Sequence, residues 1–474
     1  MLQYTLRIRD LVHGTILFTE LEQRIIDHIF FQRLRQIKQN DVAFIVYPSL
    51  NTTRFEHALG TCRVAGMMAE HLTQSPKWEA YSREFRQQTG LNTADKFVEL
   101  TRLYALLHDI GHLPLSHLFE IATEECAKSR SPAIDGGTLT QEWTGVTKFK
   151  KLHEAFGAVI IKQMIADLSI PESLGKALTR LMTEKIIDSR DSLSIVKSVV
   201  DSEIDADRID STQRDGLLAG GEYGNYDTRR LCDSVFTEED EEGWLIAYSE
   251  KGLTSMEALL LDRYRTHVWI HFHHRVVAMK ILVRHLIEKA LEQGLIAKEQ
   301  FNPANKEEFA LRDDVWLWNI LRETDTTEGS MLEMTKRAVF FREKRNVLNL
   351  WKGRLAYHDL QDQVKRKARV GVVDTGLFDL YLHELRQQLQ VTVLGFELKF
   401  MPISNRATFL YSEKERKLTG KSLIGVSRLI ADLDSIWKAE PQEFVMLVGD
   451  NCLANAGQLT ERWIDVAARL ASSR

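Results

Sequence analysis

Residues 107–112 read Leu107-His108-Asp109-Ile110-Gly111-His112, an imidazole beside a carboxylate at the end of an apolar helical run. Upstream stands Arg54-Phe55-Glu56-His57, and downstream Asp205-Ala206-Asp207-Arg208. Together they offer two imidazoles and two carboxylates, His57, His108, Asp109 and Asp207, to one divalent cation. Such nitrogen and oxygen donors suit magnesium, manganese, iron, zinc or cobalt, and four protein ligands leave positions for water and substrate. An open site of this kind acidifies a water and neutralises phosphate oxygens, so a phosphohydrolase is the first expectation. Taken singly, His57 and His108 read as hydrogen-bonded core histidines and Asp207 as a solvated cap. The combination favours a metal held from three helices, the way helical bundles build such sites.

Working outward, helical spacing dominates the first 290 residues. Leu21, Ile25 and Ile29 repeat at four with Ile26, Phe30 and Leu34 beside them, which predicts one helix over Glu20–Gln39. Phe44-Ile45-Val46-Tyr47 before Pro48 predicts a short strand. A helix is expected from His57 through Leu72 and another over Arg102–Asp109, stopped near Gly111 and Pro114. The polar, Gly-containing stretch Ser129–Lys148 predicts a loop. Thr254 with Glu257 fits a capping box and Gly294 a terminating position, so one helix of roughly 60 Å is expected between them. Beyond residue 295 the texture changes: Val391–Leu394, Phe396–Phe400, Ala407–Tyr411 and Phe444–Val448 predict strands. The fold class expected is mainly α, a helical bundle over 1–294 with a smaller mixed α+β lobe over 295–474 that serves regulation or oligomerisation.

The composition sets bounds on function. With 474 residues, 44% hydrophobic and 27% charged, the chain is an ordinary globular protein. A net charge of −5 argues against a general nucleic-acid coat protein, so a polyanionic ligand has to be met by local basic residues. The four cysteines, Cys62, Cys126, Cys232 and Cys452, form no CxxC pair, which disfavours a thiolate zinc site or a disulfide framework and suits a reducing compartment. The N-terminus carries no apolar h-region and no 18-residue uncharged run occurs, so the chain reads as cytoplasmic and without a membrane anchor.

The motifs together carry a resemblance. The order His, His-Asp, Asp is similar to that of the HD-domain metal-dependent phosphohydrolases, and most closely to their deoxynucleoside triphosphate triphosphohydrolase branch. The resembling stretches are Asp10-Leu11-Val12-His13-Gly14, Phe31–Gln39, Arg54–His57, His108–His117, His153-Glu154, Asp205–Asp215 and Gly220–Gly224. They match in order and approximate spacing over residues 5–290, and more loosely around Arg345-Asn346 and in the strand-rich tail.

The resemblance implies a dNTP or NTP substrate cut at its alpha phosphorus, giving nucleoside and inorganic triphosphate. Arg54 lies three residues before a ligand, beside the metal, where its fork would hold phosphate oxygens; Arg208 is a second phosphate candidate. His117 and Glu120 share a helix face at a spacing of three, so that the carboxylate orients the imidazole and the imidazole protonates the leaving 5′-oxygen. The family commonly has aspartate at the Glu120 position. His112 and His153 are implied to face phosphates, Asp215 to accept from the 3′-hydroxyl, and Gln39 to meet sugar or base. Where the family has tyrosine this chain has Ser211, which puts strict 2′-deoxy selectivity in doubt. Around His271-Phe272 two registers fit the family's pocket-lining aromatic. His267 and His271 also form an HxxxH, without the glutamate of a metalloprotease. Asp27, Gln32 and Arg35 match positions that read guanine in nucleotide-activated relatives, and a homo-oligomer is implied with them. Lys365-Arg366-Lys367-Ala368-Arg369 is the densest basic run; it suits effector phosphates or nucleic acid, though such runs are more often solvated faces.

Two further classes compete. One is an HD phosphohydrolase acting on another nucleotide. The guanosine-tetraphosphate type is disfavoured because Gly111-His112-Leu113 stands where it carries a Glu-Asp pair, and the cyclic-diguanylate type because no Gly-Tyr-Pro occurs. The other is a nucleotide-sensing scaffold without catalysis, against which the intact ligand set and His117 argue.

Overall fold

The computed structural model describes residues 2–131, 134–184, 186–343, 345–370, 382, 392–397, 408–438 and 443–472. The chain opens with a hairpin, β1 (Tyr4–Asp10) and β2 (Gly14–Thr19), paired antiparallel. Helices follow: α1 (Glu20–Ile26), α2 (Ile29–Arg33), α3 (Arg54–Leu72), α4 (Trp78–Thr89), α5 (Ala94–Leu107), α6 (His117–Arg130), α7 (Gly136–Thr144), α8 (Leu152–Asp167), α9 (Glu172–Thr183), α10 (Leu193–Val200), α11 (Ala206–Leu218) and α12 (Thr228–Cys232). After β3 (Val235–Glu239) and β4 (Trp244–Ser249) come α13 (Leu253–Thr266) and α14 (His274–Glu292). The remainder mixes helices with β5 (Val347–Asn349), β6 (Thr392–Glu397), β7 (Phe409–Ser412), β8 (Lys417–Ser422) and β9 (Glu443–Val448). The fold is thus mainly helical with small mixed sheets, as the periodicity requires.

Two compact units form, each drawn from three stretches rather than from one cut near residue 294. The first comprises 1–266, 297–318 and 402–434, and the second 267–296, 319–401 and 435–474. In the first, α3 is the central element. Phe55, Ala58, Leu59, Cys62, Val64, Ala65, Met68, Ala69 and Leu72 are all buried, which covers most of its circumference. It packs against α5 and α11, and α5 is itself buried from Phe97 to Leu107. A helix buried all round belongs at a core centre, and these two carry His57 and His108. A four-stranded sheet, β3-β4-β7-β8, completes this unit, with β4 and β7 parallel. In the second unit β5-β9-β6 form an antiparallel sheet, and α14 packs against β6 and β9, Arg284 donating to Gly395 O at 2.8 Å.

Several expected elements differ in the structure. Glu20–Gln39 is not one helix: it stops at Asp27, restarts as α2 where His28 Nδ1 accepts from Phe30 N, and ends in a 3₁₀ turn over Leu34–Gln36. Ile25, Ile26, Phe30, Phe31, Leu34 and Ile37 stay buried across the breaks, while Ile29 at the start of α2 is exposed. Phe44–Tyr47 is not a strand; 3₁₀ geometry spans Ala43–Ile45 with bonds from Ala43 N to Asn40 O and from Val46 N to Ala43 O. A four-residue apolar run fits either geometry. Ser129–Lys148 contains α7, capped by Asp135 on Thr138 N at 2.8 Å and closed by Gly145 at φ 75°. Its opening glycine is there for space, since a Cβ at Gly136 would lie 2.3 Å from Lys150 O. The long helix is broken: a π-turn occupies His267–His271, and His273 caps the new start at α14. Gly294 does end α14, at φ 73°.

The two neighbouring strands expected at Val391–Phe400 are one, β6; Val391, Leu398–Phe400 and Ala407 lie outside the described residues. All four cysteines are buried, and none of them is in a disulfide among the described residues. No helix among the described residues is long and apolar enough to cross a membrane.

Candidate metal centre

Helix termini assemble the centre. Thr53 caps α3 on Glu56 N, and Glu56 returns a bond to Thr53 N at 2.9 Å. This capping box fixes the first turn, which carries Arg54 and His57. His108 closes α5, and Asp109 starts the turn that leaves it. Asp205 caps α11 on Arg208 N at 2.7 Å, so Asp207 sits in the first turn of that helix.

The four donors converge. His57 Nε2 lies 2.9 Å from Asp207 Oδ1 and 3.8 Å from Asp109 Oδ2. His108 Nε2 lies 3.4 Å from Asp109 Oδ2 and 3.9 Å from Asp207 Oδ1. Atoms about 2.1 Å from one cation stand roughly 3–4 Å apart; His57, His108 and Asp109 form a grouping close enough to share one, and Asp207 adjoins it through His57 and His108. The tautomers agree. His108 Nδ1 donates to Ala105 O at 2.7 Å, and His57 Nδ1 meets Asp210 Oδ2 at 2.8 Å, so each ring turns Nε2 inward. His108 Nε2 is buried without a hydrogen-bond partner, a cost that a bound cation removes. The donor set and that orphaned nitrogen fit a divalent metal.

Electrostatics follow the same plan. Burial pushes Asp109 up, but Arg54, His108 and His112 more than reverse this and hold it well below the usual carboxylate range. Burial also opposes Asp207, and His57 brings it below its ordinary value. Against the desolvation of its own burial, Asp207 and Asp210 raise the His57 imidazole to about 10. A cation at this centre takes the place of that proton.

Beside the metal ligands lies an imidazole cluster. His112 Nε2 is 3.2 Å from Asp109 Oδ1, and its ring stacks on His153 at 4.2 Å. Glu120 receives both His117 Nδ1 at 3.1 Å and His153 Nδ1 at 2.9 Å. His117 is half exposed, at 51% of its side chain. Enclosure by protein lowers its proton affinity against the pull of Glu120. Burial and the Arg54 charge push His112 well below its ordinary value. Arg54 pairs with Asp109 Oδ2 and donates from Nε to Ser116 Oγ at 3.1 Å. Among the described residues, His57-His108-Asp109 and His112-His117-His153 are the groupings of three or more metal-capable donors.

The other expected site residues are placed as follows. Asp215 is buried and accepts from Asn40 Nδ2 at 2.6 Å. Gln39 has its Oε1 buried without a partner. Arg208 turns back to Asp205 Oδ2 at 3.2 Å. Ser211 reaches Arg208 O at 3.4 Å. Asp27, Gln32 and Arg35 fall on three successive elements: Gln32 bonds Ile26 O and Arg35, and Arg35 lies 3.6 Å over the Phe55 ring.

Sequence reasoning missed the supports. Asp210 stands inside the quoted Asp205–Asp215 run, three residues past a ligand and so on the same face, yet drew no role. Arg33 is buried and donates to His112 O at 2.6 Å. Asp314, buried and pushed up to about 7 by that burial, accepts from Lys38 N at 2.9 Å and Leu115 N at 2.7 Å. It thereby pins the turn in which Leu115 and Ser116 adopt φ of 52° and 53°, just before His117. Nothing local marks a residue two hundred positions away for that task. Arg263 bonds Glu203 at 2.7 Å, and burial and the nearby Arg208 lower its pKa below the ordinary guanidinium value.

Comparison with known proteins agrees with this geometry. The HD domain family matches residues 54–214. An uncharacterised protein of Methanocaldococcus jannaschii is 32% identical over 331 residues, 70% of this chain and 57% of the relative. Deoxynucleoside triphosphate triphosphohydrolase SAMHD1 of Gallus gallus is 27% identical over 300 residues, 59% of this chain and 45% of its own. This chain spans about half the length of such relatives. A crystal structure of a phosphohydrolase from Bacteroides thetaiotaomicron shares the fold, with a TM-score of 0.64 at 20% identity over 94% of this chain and 99% of that one.

Proposed function

Since the chain is an HD-domain protein related to the deoxynucleoside triphosphate triphosphohydrolases, we propose that it is a metal-dependent phosphohydrolase that converts nucleoside triphosphates, the deoxy forms foremost, to nucleoside and inorganic triphosphate. The observation that carries this reading is the four-donor centre with an orphaned His108 Nε2, set beside Arg54 and three imidazoles. Cationic and imidazole donors grouped around a hard-cation site suit a polyphosphate.

A bound divalent cation would supply charge neutralisation at the alpha phosphate and an acidified water. The protein's own groups do the rest. Arg54, fixed by Ser116, presents its remaining N–H groups to phosphate oxygens. Arg208, which rests on Asp205 in the free chain, is the second group for phosphate. Because Glu120 accepts from His117 Nδ1, the proton of a charged His117 that is free for transfer sits on Nε2. The arriving triphosphate's negative charge favours that proton. Water attacks the alpha phosphorus, the bond to the 5′-oxygen breaks, and His117 protonates that oxygen as it leaves. Asp215 and Gln39 are the groups for sugar and base. Ser211, whose short side chain bonds back to its own helix, favours a second reading in which ribonucleotides are accepted as well. Activation by a nucleotide at Asp27, Gln32 and Arg35 and homo-oligomeric assembly belong to the same proposal.

Metal-stripped protein, resupplied with Mg, Mn, Fe or Co and given each dNTP and NTP singly and mixed, tests it by product analysis. Nucleoside with triphosphate is the expected outcome. Monophosphate with pyrophosphate overturns the assigned bond, and no turnover with any metal overturns the enzyme. Turnover confined to mixtures supports an effector site.

A further inference from the structure

The β1–β2 hairpin carries a group that the reaction does not use. His13, at its turn, places Nε2 2.6 Å from Asp210 Oδ1, and its side chain is 8% exposed. Asp210, without solvent exposure, also holds His57 Nδ1 at 2.8 Å and Arg214 through Nε at 3.1 Å and Nη2 at 2.8 Å. Arg214 continues to Asp10 Oδ2 at 2.9 Å. Asp10 folds the hairpin turn by accepting from Val12 N at 2.9 Å and His13 N at 2.8 Å. The circuit therefore closes: hairpin turn, His13, Asp210, Arg214, Asp10, hairpin turn. It reaches the metal centre through the bond that His57 Nδ1 donates to Asp210 Oδ2.

Resting on the metal-centre reading above, we propose that the N-terminal hairpin is a positioning element of that centre. Through His13 and Asp10 it fixes the Asp210 carboxylate, and through Asp210 it fixes the ring orientation and basicity of His57. A carboxylate behind a ligating imidazole is worth a 10–100-fold change in metal affinity. A carboxylate held by His13 and Arg214 in one closed circuit transmits any displacement of the hairpin to that affinity. The hairpin is thus the place where an event on the outside of this unit changes metal occupancy without touching a ligand.

The test is Mn(II) titration by calorimetry on the full chain, at a temperature where circular dichroism shows every metal-free variant folded. Wild type should bind one Mn(II) per chain at this centre, and Asp207→Ala should abolish that binding. Asp210→Asn should weaken affinity about 10–100-fold. His13→Ala should weaken it about 10-fold, and His13→Gln, which restores a donor to Asp210, should recover most of the loss. Ile16→Ala, a buried change elsewhere in the hairpin, should lower the melting temperature and leave affinity alone. If His13→Ala binds like wild type, the hairpin has no such role, even where Asp210→Asn is too unstable to measure. An Ile16→Ala variant that loses as much affinity as His13→Ala also overturns it, because general loosening then explains both. Failure of wild type to bind at all removes the metal-centre reading itself.

Discussion

Glu120 answers two imidazoles at once, and its titration is the sharpest single-residue consequence. Burial raises its carboxyl, but His153 and His117 more than reverse that and hold it well below 4.5. A carboxylate depressed in the fold contributes stability at pH above its unfolded value, and that contribution is lost as pH falls through the folded value. Thermal melts of Glu120→Gln should therefore lie below wild type at pH 7, and the gap should narrow as pH falls below about 4.5 toward the depressed folded value. Parallel curves would contradict the pairing. His117→Ala should lower kcat by about 10²–10⁴ while one-site Mn(II) affinity stays within about threefold, because His117 touches no metal ligand atom in the four-donor set. Steady-state kinetics beside calorimetry reads both. At this scale the His/Asp cluster was legible as a candidate metal site, because His-Asp beside a second His and a second Asp is a chemical pattern that survives without coordinates. Asp210 and Asp314 were not: each acts through a neighbour, and an aspartate that supports a histidine looks like any other aspartate until the helix packing is known.

Among the elements, α3 and α11 meet so closely at Gly60 that no side chain fits there. A Cβ at that position would lie 1.8 Å from Asp210 Oδ1 and 2.5 Å from Arg214 Nη2. Both side chains are pinned by several bonds, Asp210 by His13, His57 and Arg214, and Arg214 by Asp210 and Asp10. Gly60→Ala should accordingly destabilise the fold by about 1–3 kcal/mol and weaken metal binding together with it, as chemical denaturation and calorimetry would read. A variant with wild-type stability would show that α3 and α11 can part. Helix existence was legible for α3 because its apolar positions recur at helical spacing. Helix extent was not: the breaks at Asp27 and at His267–His271 leave the hydrophobic period intact, and α7 opens on two glycines that composition assigns to a loop. The strands β6, β7 and β9 were legible from β-branched and aromatic runs, while the Phe44–Tyr47 run was too short to declare its geometry.

For the whole molecule, the discontinuity of the first unit decides what a truncation does. Residues 297–318 supply Phe309, whose ring meets Phe30 at 5.7 Å and Phe156 at 5.8 Å and lies 4.6 Å under the Arg33 guanidinium. The same stretch supplies Asp314, and residues 402–434 supply the strands that extend β4. A fragment of residues 1–294 lacks both, so it should show no cooperative melt under conditions where the full chain does. A fragment melting cooperatively within a few degrees of the full chain would make 1–294 a self-sufficient body. The change of texture near residue 295 is real in the sequence, but a chain that returns to an earlier core leaves no compositional mark at the point of return. Metal binding is proposed to rest on His57, His108, Asp109 and Asp207 gripping one divalent cation. Crystals grown with Mn(II) and measured at the manganese absorption edge test it most directly. The account predicts one anomalous peak per chain, roughly 2.0–2.3 Å from His57 Nε2, His108 Nε2, Asp109 Oδ2 and Asp207 Oδ1; a fully loaded protein whose peak lies instead among His112, His117 and His153, or nowhere in this unit, would contradict it.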